Sequence, residues 1–154
     1  MKILRRNGEI AEIGFEEAEG KKAFWHTSAH VLAQAVKRLW PETKCAIGPA
    51  IENGFYYDFE FGFPFSEEHL KEIEDEMRKI AKESLSLKVC AKSKEEALQF
   101  MEEAGEKYKV ELIQALDANA KISFYSQGEY EEFCAGPHIT NVCRIKAIKL
   151  LSVA

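Results

Sequence analysis

Two Asn-Gly dipeptides constrain the fold of this chain more than any other feature of its sequence. Each is flanked by two strand-like segments: Asn7-Gly8 lies between residues 3–6 and 9–13, and Asn53-Gly54 lies between residues 45–51 and 55–61. Asn and Gly tolerate the positive φ angles of a two-residue hairpin turn. Each dipeptide therefore predicts two antiparallel strands that are joined by a tight turn.

Segments with helical periodicity alternate irregularly with these hairpins and with further strand-like runs. Ser93 and Glu96 form a capping-box pattern, which is typical of a helix N-terminus, and Ser66 is a suitable N-cap for another helix. The predicted helices span residues 22–40, 66–82, 93–105 and 110–116, and the further predicted strands span residues 85–89, 121–126, 130–134 and 146–153. We therefore predict an α+β fold with a mixed, largely antiparallel sheet packed with helices.

Composition and charge exclude several classes of protein. The 154 residues carry a formal net charge of −5, which argues against broad neutralisation of nucleic acid phosphates. Apolar runs all fall short of the roughly 18 residues of a membrane span, and no secretory signal is recognisable at the N-terminus. We therefore expect no membrane association and a cytoplasmic location. The four cysteines show no paired spacing, so we expect reduced thiols.

Two short motifs carry the residues best suited to chemistry. His26 and His30 are four residues apart within a predicted helix, so their imidazoles lie on one helix face. Cys134 and His138 repeat this spacing around Pro137, which disfavours helical geometry at the residue before it. A curved loop is therefore expected to turn Cys134 and His138 to one side, and the two motifs together form a candidate four-residue cluster.

Spacing alone leaves the chemistry of this cluster open. A thiolate and neutral imidazoles are ligands for zinc, and both spacings suit a zinc site. Without metal, the imidazoles can position water and move protons near neutral pH, with the thiol as an orienting group. A third reading is that Cys134 is an ordinary buried thiol and the histidines are unrelated. A Cys–His nucleophile is the weakest alternative, because no recognisable protease motif surrounds Cys134.

Several motifs resemble the editing domain of threonyl-tRNA synthetase, which is related to the editing domain of alanyl-tRNA synthetase. They occur in the family's order from about Gly20 onwards: His26-Thr27-Ser28-Ala29-His30, Leu39-Trp40-Pro41, Ala46-Ile47-Gly48-Pro49, Asn53-Gly54-Phe55-Tyr56-Tyr57-Asp58, Cys134-Ala135-Gly136-Pro137-His138 and Lys146-Ala147-Ile148-Lys149-Leu150-Leu151. The resemblance implies that residues 21–154 form an editing domain and that residues 1–20 form an N-terminal hairpin and connector. It also implies hydrolysis of seryl-tRNA formed by mistake on the threonine tRNA.

The resemblance also implies roles for individual residues. The catalytic set consists of His26, His30, Lys109, Glu132, Cys134 and His138. His26 would take part in proton transfer, and the charge of Lys109 would stabilise the oxyanion that develops in the reaction. Glu132 stands where the family is expected to have an aspartate, so its carboxylate reaches one methylene further. Gly48 and Tyr57 would contact the terminal adenosine of the tRNA, by close backbone approach and by stacking.

Partners and alternatives follow from the same resemblance. The implied partners are the 3′ terminal adenosine and aminoacyl group of the tRNA, together with the catalytic and anticodon-binding domains of a parent synthetase. No class II motifs for amino-acid activation are found, so we expect an editing fragment without an aminoacylation site. Editing would require no cofactor, although zinc is possible, with His26, His30, Cys134 and His138 as its ligands. The alternatives are a freestanding zinc-dependent deacylase of the alanyl type and a non-catalytic module that binds the tRNA 3′ end.

Overall fold

The computed structural model describes residues 1–46, 50, 51 and 53–153. The helices of this described part are α1 (Ala18–Leu39), α2 (His69–Lys82), α3 (Lys94–Glu103) and α4 (Lys107–Gln114), with a short 3₁₀ helix at Val142–Arg144. Its strands are β1 (Lys2–Leu4), β2 (Ile10–Glu12), β3 (Lys44–Cys45), β4 (Ala50–Ile51), β5 (Gly54–Phe55), β6 (Phe59–Glu60), β7 (Leu87–Ser93), β8 (Lys121–Gln127), β9 (Tyr130–Phe133) and β10 (His138–Ile139).

All described strand pairs are antiparallel, which confirms the predicted α+β class. The predicted hairpin around Asn7-Gly8 is β1–β2, and the one around Asn53-Gly54 consists of the pairs β3–β6 and β4–β5. A longer sheet has the order β7-β8-β9. Strand β1 also pairs with β10, with Leu4 opposite His138, so the N-terminal hairpin lies against the Cys134–His138 segment.

Strand β8 separates two hydrophobic cores, because successive side chains of a strand point to opposite faces. Ile122 and Phe124 pack with Met101 of α3 and Ile113 of α4. Tyr125 points to the other face and joins a larger core, which contains buried side chains of α1, α2, β1 and β10: Val31, Val36, Ile73, Met77, Ile80, Ile3 and Ile139. Burial on both faces explains why β8 is almost continuously buried.

Helix α1 is the longest described helix, and it positions the candidate site. It begins at Ala18, four residues earlier than predicted, so the connector before it is shorter than expected. The side chain of Gln34 connects the central part of α1 to β8, because the side-chain Nε2 of Gln127 donates a 2.8 Å hydrogen bond to Oε1 of Gln34. Trp40 ends the helix directly before Pro41, where the sequence predicts that it stops.

Two local predictions were wrong. The segment 146–153 is not a strand in the structure, although Ile148 and Leu150 pack on the larger core. Side chains of α2 bind its backbone instead, because Arg78 donates to the carbonyl of Ile148 and the amide of Leu150 donates to Glu74. Ser66 is not an N-cap either: α2 begins at His69, and the Ser66 carbonyl accepts a turn hydrogen bond from the His69 amide.

None of the described helices is long and apolar enough to cross a membrane.

Candidate functional site

The first part of the site lies on one face of helix α1. Thr27 and His30 are buried on this face, and His26 is half-buried one turn before His30. The helical spacing of four residues stacks the two imidazoles in the direction of the helix axis. This face of α1 packs against β10, which begins with His138.

The second part is the turn between β9 and β10. Gly136 has a φ of +70°, and a Cβ at this position would lie 2.7 Å from Cζ of Tyr125. A glycine is therefore required both by the backbone conformation and by the adjacent ring. The turn brings Sγ of Cys134 to 3.4 Å from Nε2 of His138, and the Gly136 amide donates to the same sulfur over 3.3 Å.

The two motifs meet, as their spacing predicts. The ring of His138 lies 4.4 Å from the ring of His30 and 5.8 Å from the ring of His26, measured between centroids. Because Cys134 contacts the same His138 ring, the four side chains surround one small region. The turn curvature expected at Pro137 therefore places the thiol beside the helical histidine pair.

Burial keeps these four groups uncharged at neutral pH. It lowers the pKa of His26, lowers that of His30 to about 4, and lowers that of His138 well below its ordinary value. Burial also raises the pKa of the Cys134 thiol to about 11. Neutral imidazoles can accept a proton or bind a metal. Within the described residues, no group hydrogen bonds to the buried Nδ1 atoms of His26 and His30.

Lys109 and Glu132 form a buried ion pair beside His30. Lys109 lies on α4 and Glu132 on β9, and their side chains are about 5% exposed. The hydroxyl of Tyr57 donates to one Glu132 oxygen over 2.6 Å, and that of Tyr130 donates to the other over 2.6 Å. Nε2 of His30 lies 3.4 Å from the oxygen that Tyr130 binds. The carboxylate thus connects α4 and the hairpin of Tyr57 to the imidazole of His30.

The Glu132 carboxylate is ionised despite its burial. Burial alone raises the pKa of Glu132, but the charge of Lys109, the proximity of His30 and hydrogen bonds from Lys109 and Tyr130 lower it to about 2. The ammonium of Lys109 has three donors, of which two bind Glu132 and Tyr57. One donor therefore remains for a further acceptor.

Three of the four clustered residues have metal-binding geometry. One ligand atom from each of His26, Cys134 and His138 lies within 4.8 Å of the others. A tetrahedral zinc ion would hold a sulfur and a nitrogen ligand about 3.6 Å apart, from its usual bond lengths, and the distance from Cys134 Sγ to His138 Nε2 is 3.4 Å. That distance suits a thiol–imidazole hydrogen bond equally well. His30 is not part of this set, and its Nε2 lies 3.4 Å from an oxygen of Glu132.

Gly48 and Tyr57 are the two residues predicted to contact the terminal adenosine. Gly48 lies outside the described residues. Tyr57 is half-buried, and its ring stacks on Phe59 with centroids 4.6 Å apart and an interplanar angle of 12°. One face of Tyr57 is thus covered by protein, and its hydroxyl belongs to the Lys109–Glu132 pair.

A cavity of about 400 Å³ adjoins the ion pair on the side of α3 and α4. Lys109, Tyr130 and Glu132 line it together with Met101 and Lys37, and its described lining does not include the three clustered histidines or Cys134. The ammonium of Lys37 is already bound by the carbonyls of residues 41 and 43 and by the carboxylate of residue 106. The clustered side chains, and not this cavity, therefore form the candidate site.

Sequence reasoning missed three residues that hold the site together. Thr27 contacts His138, Tyr130 binds Glu132, and Tyr125 packs on the ring of His138 with centroids 4.4 Å apart. Thr27 lies between the two helical histidines, and Tyr130 lies two residues before Glu132, on the same face of a strand. These positions were a usable signal, whereas the contact of Tyr125 depends on the packing of β8.

Comparison with known proteins first gives the class. Residues 122–154 match the family described as "Threonyl and Alanyl tRNA synthetase second additional domain". This segment contains Glu132, Cys134 and His138 of the candidate site. The fold and the comparison thus identify the chain as a tRNA synthetase domain of the editing type.

The particular relatives are threonine–tRNA ligases. The chain is 55% identical to the enzyme of Caldanaerobacter subterraneus over 98% of its own length, 54% identical to that of Clostridium novyi over 100%, and 56% identical to that of Acetivibrio thermocellus over 91%. It spans 22–24% of the length of these relatives. The chain therefore belongs with the threonyl-tRNA synthetases and corresponds to about a quarter of such an enzyme.

Proposed function

We propose that this chain hydrolyses the ester bond of seryl-tRNA formed by mistake on the threonine tRNA. The observation that carries the proposal is the convergence of three neutral imidazoles and a thiol on one small region. The similarity to threonine–tRNA ligases supports this substrate class. The partners are then the 3′ terminal adenosine, the attached amino acid and the remaining domains of a parent synthetase.

The chemistry of serine explains why a second site is needed. Serine keeps the amino and hydroxyl groups of threonine and lacks one methyl group. A site built for threonine discriminates against the smaller residue by only about 1–3 kcal/mol. A separate hydrolytic pocket that admits serine and sterically excludes threonine corrects the remaining errors.

We assign the proton transfer to His26, because it is the least buried of the clustered imidazoles. It is half-buried, whereas His30 and His138 are buried. His26 takes a proton from the attacking water and returns it to the ribose oxygen as the ester bond breaks. His30, Cys134 and His138 orient the substrate and the water. The free donor of Lys109 is available to the oxyanion, while Glu132 offsets the rest of its charge.

The test is a comparison of deacylation rates for seryl-tRNA and threonyl-tRNA, with threonine tRNA as the carrier in both cases. We expect seryl-tRNA to be cleaved faster, and His26→Gln to lower the rate constant about 10²–10⁴-fold through the loss of acid–base catalysis. His69→Gln is the matched control, because it removes an imidazole that lies outside the site and packs on Trp40. Equal cleavage of both substrates, or equal effects of the two variants, contradicts the proposal.

A zinc-dependent deacylase is the second candidate, because the ligand atoms of His26, Cys134 and His138 fit one metal ion. These residues would hold the zinc, which would polarise the ester carbonyl or activate water. Stoichiometric zinc in the purified chain, together with loss of activity on chelation, favours this candidate. Activity that survives chelation favours the metal-free reaction. Binding of a terminal-adenosine analogue without turnover points to a non-catalytic module.

A further inference from the structure

Thr27 is a buried residue at the contact between α1 and β10. Three groups surround its hydroxyl oxygen. The carbonyl oxygen of Ala23 lies 3.0 Å away, the amide nitrogen of Ile139 lies 3.0 Å away, and Nδ1 of His138 lies 2.9 Å away. Both Thr27 and His138 have an exposed fraction of 0%. Water therefore does not reach this group of hydrogen bonds.

The number of protons limits how these contacts are arranged. A threonine hydroxyl donates one proton and accepts two hydrogen bonds. The amide of Ile139 can only donate, so it occupies one acceptor position of Thr27. The hydroxyl proton then points either to the Ala23 carbonyl or to Nδ1 of His138. If it points to Ala23, Nδ1 of His138 must carry a proton of its own and donate it to Thr27.

The 3.0 Å contact between the oxygens of Thr27 and Ala23 decides between these arrangements, because only the hydroxyl proton can lie between them. Cys134 lies at the other nitrogen of the His138 ring. Its sulfur lies 3.4 Å from Nε2 of His138, and it already accepts a hydrogen bond from the Gly136 amide. In this arrangement Nε2 of His138 is bare, and it is the acceptor that the geometry provides for a thiol proton. A zinc ion bound to Cys134 and His138 would use the same bare Nε2. With or without metal, the ring proton of neutral His138 therefore lies on Nδ1.

We infer that Thr27 is a positioning residue that fixes the tautomer of His138, with the proton on Nδ1 and the bare Nε2 turned toward Cys134. This inference deepens the proposed function and rests on it for its catalytic consequence. The hydrogen bonds run from Cys134 to His138, from His138 to Thr27 and from Thr27 to the Ala23 carbonyl. Every buried donor in this series has an acceptor. Removal of the hydroxyl leaves the Nδ1 proton buried without a partner, which favours the other tautomer or a rotated ring.

The tautomer can be measured without any catalytic turnover. Nitrogen-15 NMR of the uniformly labelled chain distinguishes a protonated ring nitrogen from a bare one, and each ring is assigned through its own backbone amide. We expect a protonated Nδ1 and a bare Nε2 for His138 at neutral pH. A protonated Nε2 in the wild-type chain overturns the inference.

Substitution of Thr27 tests the causal step. Thr27→Val keeps the shape of the side chain and removes the hydroxyl, whereas Thr27→Ser keeps the hydroxyl. We expect Thr27→Val to disturb the His138 tautomer and to lower kcat for seryl-tRNA deacylation about 10–100-fold, with little change in KM. Thr27→Ser should keep both the wild-type tautomer of His138 and the wild-type kcat. Thr140→Val, which removes a threonine hydroxyl two residues after His138, is the matched control.

The outcomes separate this inference from the proposed function. If Thr27→Val keeps the wild-type tautomer and kcat, Thr27 has a structural role only and the inference fails. If Thr27→Val does not fold, the wild-type spectrum and the Thr27→Ser variant still decide, because loss of the tautomer in Thr27→Ser contradicts it. If the wild-type chain has the expected tautomer and cleaves no seryl-tRNA, the proposed function fails, and so does the catalytic consequence of Thr27.

Discussion

Replacement of Lys109 by methionine should destabilise the protein strongly, because it leaves the buried Glu132 carboxylate without its counter-charge. Methionine keeps most of the side-chain volume and removes the ammonium. Both partners of the pair are about 5% exposed, so water cannot take over the role of the ammonium. The removal of one member of a buried ion pair typically costs about 3–5 kcal/mol.

The pKa of Glu132 gives a second value for the loss of stability in Lys109→Met. It falls from an ordinary 4.5 to about 2, and Lys109 is the main group that opposes the effect of burial. At about 1.4 kcal/mol for each pH unit, this depression corresponds to about 3 kcal/mol of stabilisation at neutral pH. The two values agree, so we expect Lys109→Met to lower the free energy of unfolding by about 3 kcal/mol at pH 7.

The effect should depend on pH in a defined direction. A carboxyl whose pKa is lowered by folding stabilises the native state above its ordinary pKa of 4.5, and this stabilisation is lost as the pH falls toward about 2. In Lys109→Met, burial acts without the opposing ammonium, so the pKa of Glu132 rises relative to the wild type. The difference in stability between the wild type and the variant should therefore shrink between pH 4.5 and pH 2.

Urea unfolding followed by circular dichroism at pH 7 and pH 3 measures both quantities. Lys107→Met is the matched control, because Lys107 lies on the same helix and forms an exposed ion pair with Glu60. Exposed pairs contribute little, so this control should unfold nearly as the wild type does. The double variant Lys109→Met/Glu132→Gln should recover part of the loss. Equal stability of the two methionine variants at pH 7, or a difference that does not change with pH, would refute the reasoning.

Two further predictions concern the turn between β9 and β10. Gly136→Ala should destabilise the protein by at least about 2 kcal/mol, because the backbone φ is positive and the added Cβ collides with Tyr125. Gly62→Ala is the control, because nothing lies within 4 Å of a Cβ at that position. Equal melting temperatures of the two variants contradict the prediction. Cys134, whose pKa is raised to about 11 by burial, should react with iodoacetamide at pH 8 far more slowly than the exposed Cys143. Peptide mass spectrometry measures both rates, and faster labelling of Cys134 indicates a thiolate.

Patterns formed by neighbouring residues predicted local structure reliably. The capping box of Ser93 and Glu96 is present with both of its hydrogen bonds, because it depends on four consecutive residues. The segment 146–153 shows why a strand-like run of residues is not sufficient to form a strand. Ile148 and Leu150 do pack on the core, but a strand also needs a neighbouring strand, and Glu74 and Arg78 of α2 bind its backbone instead.

The site was predictable to the extent that its residues are close in sequence. The spacing of His26 and His30 and the bend at Pro137 each follow from backbone geometry, and both are present in the structure. The pairing of Lys109 with Glu132 joins a helix and a strand that are 23 residues apart, and no local pattern encodes it. The side chain that connects the two motifs, Thr27, lies within the first of them but is explained only by its contact with the second.

His138 is held more rigidly than any spacing argument implies. Thr27 binds its Nδ1, the ring of Tyr125 packs on it, and its backbone pairs with Leu4 of the N-terminal hairpin. The hydroxyl of Tyr125 also donates to the Leu4 carbonyl, so the hairpin supports the wall of the site from behind. A ring that is fixed in this way cannot move toward a substrate. In the proposed reaction, the half-buried residues of the cluster, His26 and Cys134, therefore meet the ester first, while His138 sets the hydrogen bonding of Cys134 from within the protein.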